Sequence, residues 1–173
     1  MPWIEPVIDR TQTDVNNLKQ LADQINTVGW DSVSSDLRVK WLLGDTGRLY
    51  ASDFGLLTVD GDTLRISTGR IKGAVNRVDL NRIQGNIRFL RDLLFTEHGI
   101  VVVIDDSNPT WGRDDLPFIS YINRIRDNVN ALVNASFKLV TTPTIQYTNP
   151  VDYSAMNDIE QNLYDLKSIL DAM

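Results

Sequence analysis

The sequence predicts a mainly helical α+β fold: a bundle of about four long helices with one short helix, a β-hairpin at about 55–68 and a few short strands. Three observations predict it. Along four separate stretches apolar residues recur at steps of three and four, the period of a helix that buries one face. Around Asp60-Gly61 that period gives way to two short apolar runs, "GLLTV" and "TLRIS", flanking an Asp-Gly pair, the strongest short-range hairpin signal. The chain of 173 residues is 42% hydrophobic and 23% charged, which is enough to bury a core and too apolar for a disordered segment.

Residues 1–10, "MPWIEPVIDR", read as an extended arm, because Pro2 and Pro6 cannot donate backbone hydrogen bonds. Thr11 followed by Asp14 is a capping-box pattern and opens a helix with the stripe Val15, Leu18, Ala22 and Ile25; Asn26 and Gly29 close it. A short helix follows from about Ser34 to Leu43, with Gly44 as its left-handed cap. After the hairpin the helical period returns at Leu80, Ile83, Ile87, Leu90 and Leu94, and His98-Gly99 ends it. "GIVVVID" is rich in β-branched residues and reads as a buried strand. Pro117 opens the next helix, striped by Ile122, Ile125, Val129 and Leu132. "FKLVTTPTIQYT" reads as extended chain, and Asn149-Pro150 starts a last helix carrying Met156, Ile159, Leu163, Leu166 and Leu170. No linker separates these elements, so residues 11–173 are expected to form one helical-bundle domain, with the hairpin inserted at about 45–71.

One pattern occurs three times. "LNRIQGN" at 80–86, "INRIRDN" at 122–128 and "MNDIEQN" at 156–162 share the form apolar–Asn–x–Ile–x–x–Asn, with a leucine four residues later. The apolar members fall in one narrow sector of a helix and form a packing face. Asparagine is a mediocre helix former, so propensity does not explain Asn81, Asn86, Asn123, Asn128, Asn157 and Asn162. A carboxamide at the edge of a buried seam can bridge a neighbour's backbone N–H and C=O and so pin a loop. Intervals of 42 and 34 residues between copies argue against a regular repeat array.

The chemistry available is narrow. With no cysteine and one histidine, disulfides, thiolate zinc sites and cysteine nucleophiles are out of reach. His98 stands at a helix end, where a cation favours the dipole. The acid pairs Asp60/Asp62, Asp105/Asp106 and Asp114/Asp115 sit in turns and loops and lack EF-hand spacing. No phosphate loop or dinucleotide fingerprint is present, and no cofactor is expected. A formal charge of −6 disfavours nucleic-acid binding. No apolar run reaches the length of a membrane span, and the start of the chain lacks the apolar core of a signal peptide.

Four stretches in order, "IDRTQTDV" at 8–15, "KGAVNRVDLNRIQGNIRFL" at 72–90, "TWGRDDLPFISYINRIRDNVNAL" at 110–132 and "DYSAMNDIEQNLYDL" at 152–166, resemble small tail- and baseplate-associated structural proteins of bacteriophages and prophages of Gram-positive bacteria. The chain departs from that pattern in the segment at about 45–71, and at Gln84, where the pattern carries an acid. The resemblance implies a non-enzymatic virion protein, made in the host cytoplasm and placed in the tail. There it would act as an adaptor linking the tail tip to host-adsorption fibres. Partners would be other phage structural proteins and further copies of the chain, with no nucleic acid and no membrane. Alternatives are a head fibre or capsid decoration protein, a receptor-binding protein that grips cell-wall glycan, and a cell-wall hydrolase using Asp105 or Asp106. Candidate interface residues are Trp3 and Ile4 on the arm, Leu56, Leu57, Val59, Leu64 and Ile66 of the hairpin, Arg82, Arg88 and Arg91, and Trp111.

Overall fold

A computed structural model describes residues 2–32, 57–60, 63–66, 77–107, 110–111, 119–147 and 151–173. The chain divides into two compact units, one formed by Met1–Asp9 with Asp79–Met173 and the other by Arg10–Val78.

In the second unit, α1 spans Gln12–Val28 and is followed by a short 3₁₀ turn at Trp30–Ser32. Its start is the capping box that the sequence predicts. The Asp14 carboxylate accepts from the Thr11 N–H and hydroxyl, both at 2.7 Å, and the Asp14 N–H donates to Thr11 Oγ1 at 3.2 Å. The helix stops at Gly29, whose φ of 78° is a conformation glycine adopts without cost. The side chains of Leu18, Ala22 and Ile25 and the short helix expected at 34–43 lie outside the described residues.

The first unit is a body of three long helices: α2, Arg77–His98; α3, Ile119–Ala135; and α4, Tyr153–Asp171. Their stripes meet in one core. Leu80, Ile83, Ile87, Leu90 and Leu94 of α2, Ile122, Ile125, Val129 and Leu132 of α3, and Met156, Ile159, Leu163, Leu166 and Leu170 of α4 are all buried. Each such aliphatic side chain contributes about 1.5–3 kcal/mol by leaving water. Gly99, at φ 67°, turns the chain out of α2, so that its own N–H and that of Ile100 reach back to the carbonyls of Phe95 and Leu94. At α4 the N-cap is Asp152, whose side chain accepts from the Ala155 N–H at 2.8 Å, so the helix begins past Asn149-Pro150.

The expected α+β class is corrected to a mainly helical one with three packed long helices. The described residues of the body contain no strand. "GIVVVID" runs extended without a strand neighbour, and residues 137–147 form a turn and irregular chain. Extended pairing among described residues is confined to Leu57–Asp60 against Thr63–Ile66 in the other unit. Those few residues build no sheet layer, so the hairpin does not enter the fold class; a lone two-stranded ladder is at best marginally stable in water. The four-helix bundle is likewise corrected, because α1 belongs to the second unit and the body packs three helices.

Candidate functional site

The polar residues of the repeated motif converge on one kind of contact: a helix side chain holding a segment of extended backbone. On α2, Asn86 takes both main-chain groups of Ile4. The Ile4 N–H donates to Oδ1 at 3.0 Å, and Nδ2 donates to the Ile4 carbonyl at 2.7 Å. On α3, Asn128 does the same to Asp105, at 2.8 and 2.9 Å. Asn81 repeats it on Trp111, at 2.7 and 3.0 Å. A carboxamide presents one donor and one acceptor side by side, as a neighbouring strand would. On α4, Asn162 donates to the Pro143 carbonyl at 2.9 Å and to the Asp158 carbonyl at 2.7 Å.

A second buried polar position accompanies these asparagines, two residues before the motif's last one. Gln84 accepts from the Trp111 indole N–H at 2.8 Å. Arg126 lies over the Tyr147 ring, 5.4 Å from its centroid, and donates to Asn123 Oδ1 at 2.9 Å. Glu160 accepts the Val7 N–H at 2.9 Å. The sequence reading missed Arg126 and Glu160, and it noted Gln84 only as a departure from the resembled pattern. Their signal was their spacing: each lies four residues after the first apolar residue of its motif and so points inward.

Taken in order, the contacts give direction. Asp106 meets Arg88 and Trp111 meets Gln84 and Asn81, so the segment after α2 runs back along that helix. It meets α3 at Tyr121 through Trp111, then at Arg124 and Asn128 through Asp105, again antiparallel. Residues 142–147 likewise run against both α3 and α4, with Thr142 on Asp165, Pro143 on Asn162 and Tyr147 on Asp127. The arm does so against α4 and α2: Trp3 lies near Lys167 and Phe89, Ile4 on Asn86 and Val7 on Glu160. The three helices are therefore parallel, and each of the three grooves between them holds one antiparallel segment. Each segment is gripped by the motif's last asparagine on one helix and by the buried polar residue of the other. The body is a closed ring of three similar parts.

Two of the arginines expected at an interface, Arg82 and Arg88, are part of this internal framework. Arg82 is 2% exposed and grips the fully buried Glu160 with two bonds at 2.8 and 2.7 Å, while a third reaches Asp79 at 2.6 Å. Burial alone would lower its pKa, but the hydrogen bonds and charge of Glu160, with those of Asp79, raise it instead. Burial lowers the pKa of Arg126, against the charges of Tyr147 and Asp152. Arg88 binds Asp106 at 2.6 Å, and Arg91 binds Asp92 at 2.7 Å.

Several candidate residues are therefore placed differently from the surface role proposed for them. Trp111 is 2% exposed and its indole N–H is spent on Gln84, so it is no platform for a glycan ring. Arg82 is sealed in the core. Trp3 packs on Phe89 with centroids 5.8 Å apart, and Ile4 is pinned by Asn86, though its side chain stays exposed. Asn123 serves Arg126, and Asn157 is half-buried on α4. Leu56 and the side chains of Leu57, Val59, Leu64 and Ile66 lie outside the described residues. Among the described residues no three His, Asp or Glu side chains gather as a metal site, and no helix is long and apolar enough to cross a membrane. Asp105 is engaged by Ser107, whose hydroxyl and N–H lower its pKa, and by Arg124 at 3.1 Å.

Comparison with protein families, with curated proteins and with solved structures finds no match to this chain.

Proposed function

We propose that the protein is a non-enzymatic structural component of a bacteriophage virion, an adaptor in the tail or baseplate that links the tail tip to host-adsorption fibres. Two things support the reading. One is the order of four motifs along the chain that resemble tail- and baseplate-associated proteins. The other, which carries the argument, is what the polar residues of those motifs do. Asn81, Asn86 and Arg88 from the second stretch, Asn128 from the third, and Asn162 and Glu160 from the fourth hold segments of extended chain in fixed places, while Arg82 ties α2 to Glu160 of α4. Side chains spent on holding backbone suit a scaffold. In a symmetric particle such a scaffold acts in many copies, and weak single contacts combine into a firm joint.

The test is immunogold electron microscopy on particles from an induced lysate, with antibody raised against this chain. Label at the tail tip is the expected outcome. Label on the head would move the same body to a capsid decoration role. Particles without label would end the virion reading.

A further inference from the structure

We propose that the groove between α4 and α2 takes the N-terminal arm of a second copy, so that two copies of this chain join by exchanging residues 2–9. The inference does not depend on the virion reading. It starts from an irregularity in the ring of three similar parts. In two of the grooves the filling segment leads almost at once into its own helix. Residues 112–118 alone stand between Trp111 and α3, and residues 148–152 alone between Tyr147 and α4. In the third groove the arm ends at Asp9, and residues 10–76 stand between it and α2. That stretch lies in the second compact unit.

The short connections forbid exchange and the long one permits it. A chain spans at most about 3.5 Å per residue, so residues 112–118 and 148–152 keep their segments beside the helices that follow them. No such tether holds the arm to α2. The division between the units falls between Asp9 and Arg10, just past Val7, whose N–H is bound by Glu160. A turn of the chain at that point carries the arm to a neighbour and leaves both units whole.

What the groove fits is the arm itself, and a second copy brings the same arm. Asn86 binds the N–H and C=O of Ile4 at 3.0 and 2.7 Å, and Glu160 on the opposite wall accepts the Val7 N–H at 2.9 Å. The Trp3 ring lies 5.8 Å from the Phe89 ring and 6.0 Å from the Lys167 ammonium. Each of these contacts forms unchanged whether arm and groove belong to one chain or to two, so the exchange sacrifices none of them. A foreign extended peptide could offer Asn86 and Glu160 its backbone, but it would not bring the tryptophan that Phe89 and Lys167 receive. The exchange is reciprocal: each copy gives one arm and receives one, which closes the assembly at two.

The chain has no cysteine, so single introduced thiols report where the arm sits. A Trp3→Cys chain and a Phe89→Cys chain are mixed, unfolded together in urea and refolded. They are then treated with a bismaleimide short enough to span that contact, and the linked pair is identified by mass. Val140→Cys, at a fully exposed position, replaces Phe89→Cys as the control for random collision. The link from 3 to 89 is expected to form about tenfold or more faster than the link from 3 to 140. Sedimentation velocity of the unmodified chain is expected to show a dimer that grows with concentration. A link from 3 to 89 no faster than the control overturns the proposal, even where a dimer is seen, because the copies then join elsewhere. An unmodified chain that stays monomeric at every concentration overturns it as well.

Discussion

Asn86 and Asn128 each form two hydrogen bonds to one residue of extended chain, whereas Asn162, at the same place in its motif, donates both its hydrogens to carbonyls. The difference lies in what is held. Ile4 and Asp105 offer an N–H and a C=O; Pro143 has no N–H to give, so the second hydrogen of Asn162 turns to Asp158 in its own helix. The carbonyl half of the grip is common to all three grooves, and the donor half depends on the residue in the groove. Where Pro143 gives less backbone, Thr142 adds a hydroxyl bond to Asp165 at 2.6 Å. The grip is thus a property of each groove as a whole rather than of one side chain.

The largest expected effect comes from the residue that ties a helix pair and a segment together. Arg82→Ala or Glu160→Ala leaves the other charge buried without its partner and should cost about 3–5 kcal/mol in urea unfolding. A loss below about 1 kcal/mol would mean that water reaches the pair. The asparagines come next. Asn86→Ala and Asn128→Ala each strand two backbone groups and should cost about 1–3 kcal/mol, and Asn162→Ala about 1 kcal/mol. Equal costs at all three positions would break the comparison drawn above. Deleting residues 2–9 should make Asn86→Ala nearly silent, because the two changes remove the same contact. That deletion is also expected to lower the melting temperature, because it removes the bonds that Asn86 and Glu160 make to Ile4 and Val7. Trp111→Phe keeps the ring and leaves the Gln84 oxygen without its donor, for about 1 kcal/mol.

The smallest effects have opposite signs. Burial first, and then the charge of Asp152, raises the pKa of Asp158, so its ionised form burdens the folded state and stability returns as pH falls through that raised value. The Ser107 bonds hold Asp105 below its usual value, so its contribution is present above the unfolded pKa and is lost as pH falls through the folded one. At neutral pH, Asp158→Asn should raise the melting temperature and Asp105→Asn lower it.

The helical core was legible because its signal is periodic. Every residue of the stripes in α2, α3 and α4 that spacing picks out is buried. The fold class was misread for a physical reason. A run such as "GIVVVID" carries the composition of a strand because β-propensity reports fit to a half-buried pleated surface, and a groove between two helices offers such a surface too. In this body a carboxamide stands where the next strand would be, and no composition signal separates the two cases. The asparagine spacing was visible, and so was the idea that such residues bridge backbone. What each one holds was not visible, since the partners lie 19 to 82 residues away.

The arm carries a consequence for how the chain comes to life. Its Val7 closes on Glu160 across a separation of 153 residues, with the whole of Arg10–Val78 in between. The arm fits a groove whose second wall, α4, is made after both other helices of the body. Until α4 is made the ring therefore stands open by one groove, and the arm is the latch that shuts it. Anything that takes hold of the arm in the meantime, a chaperone for instance, competes with that step.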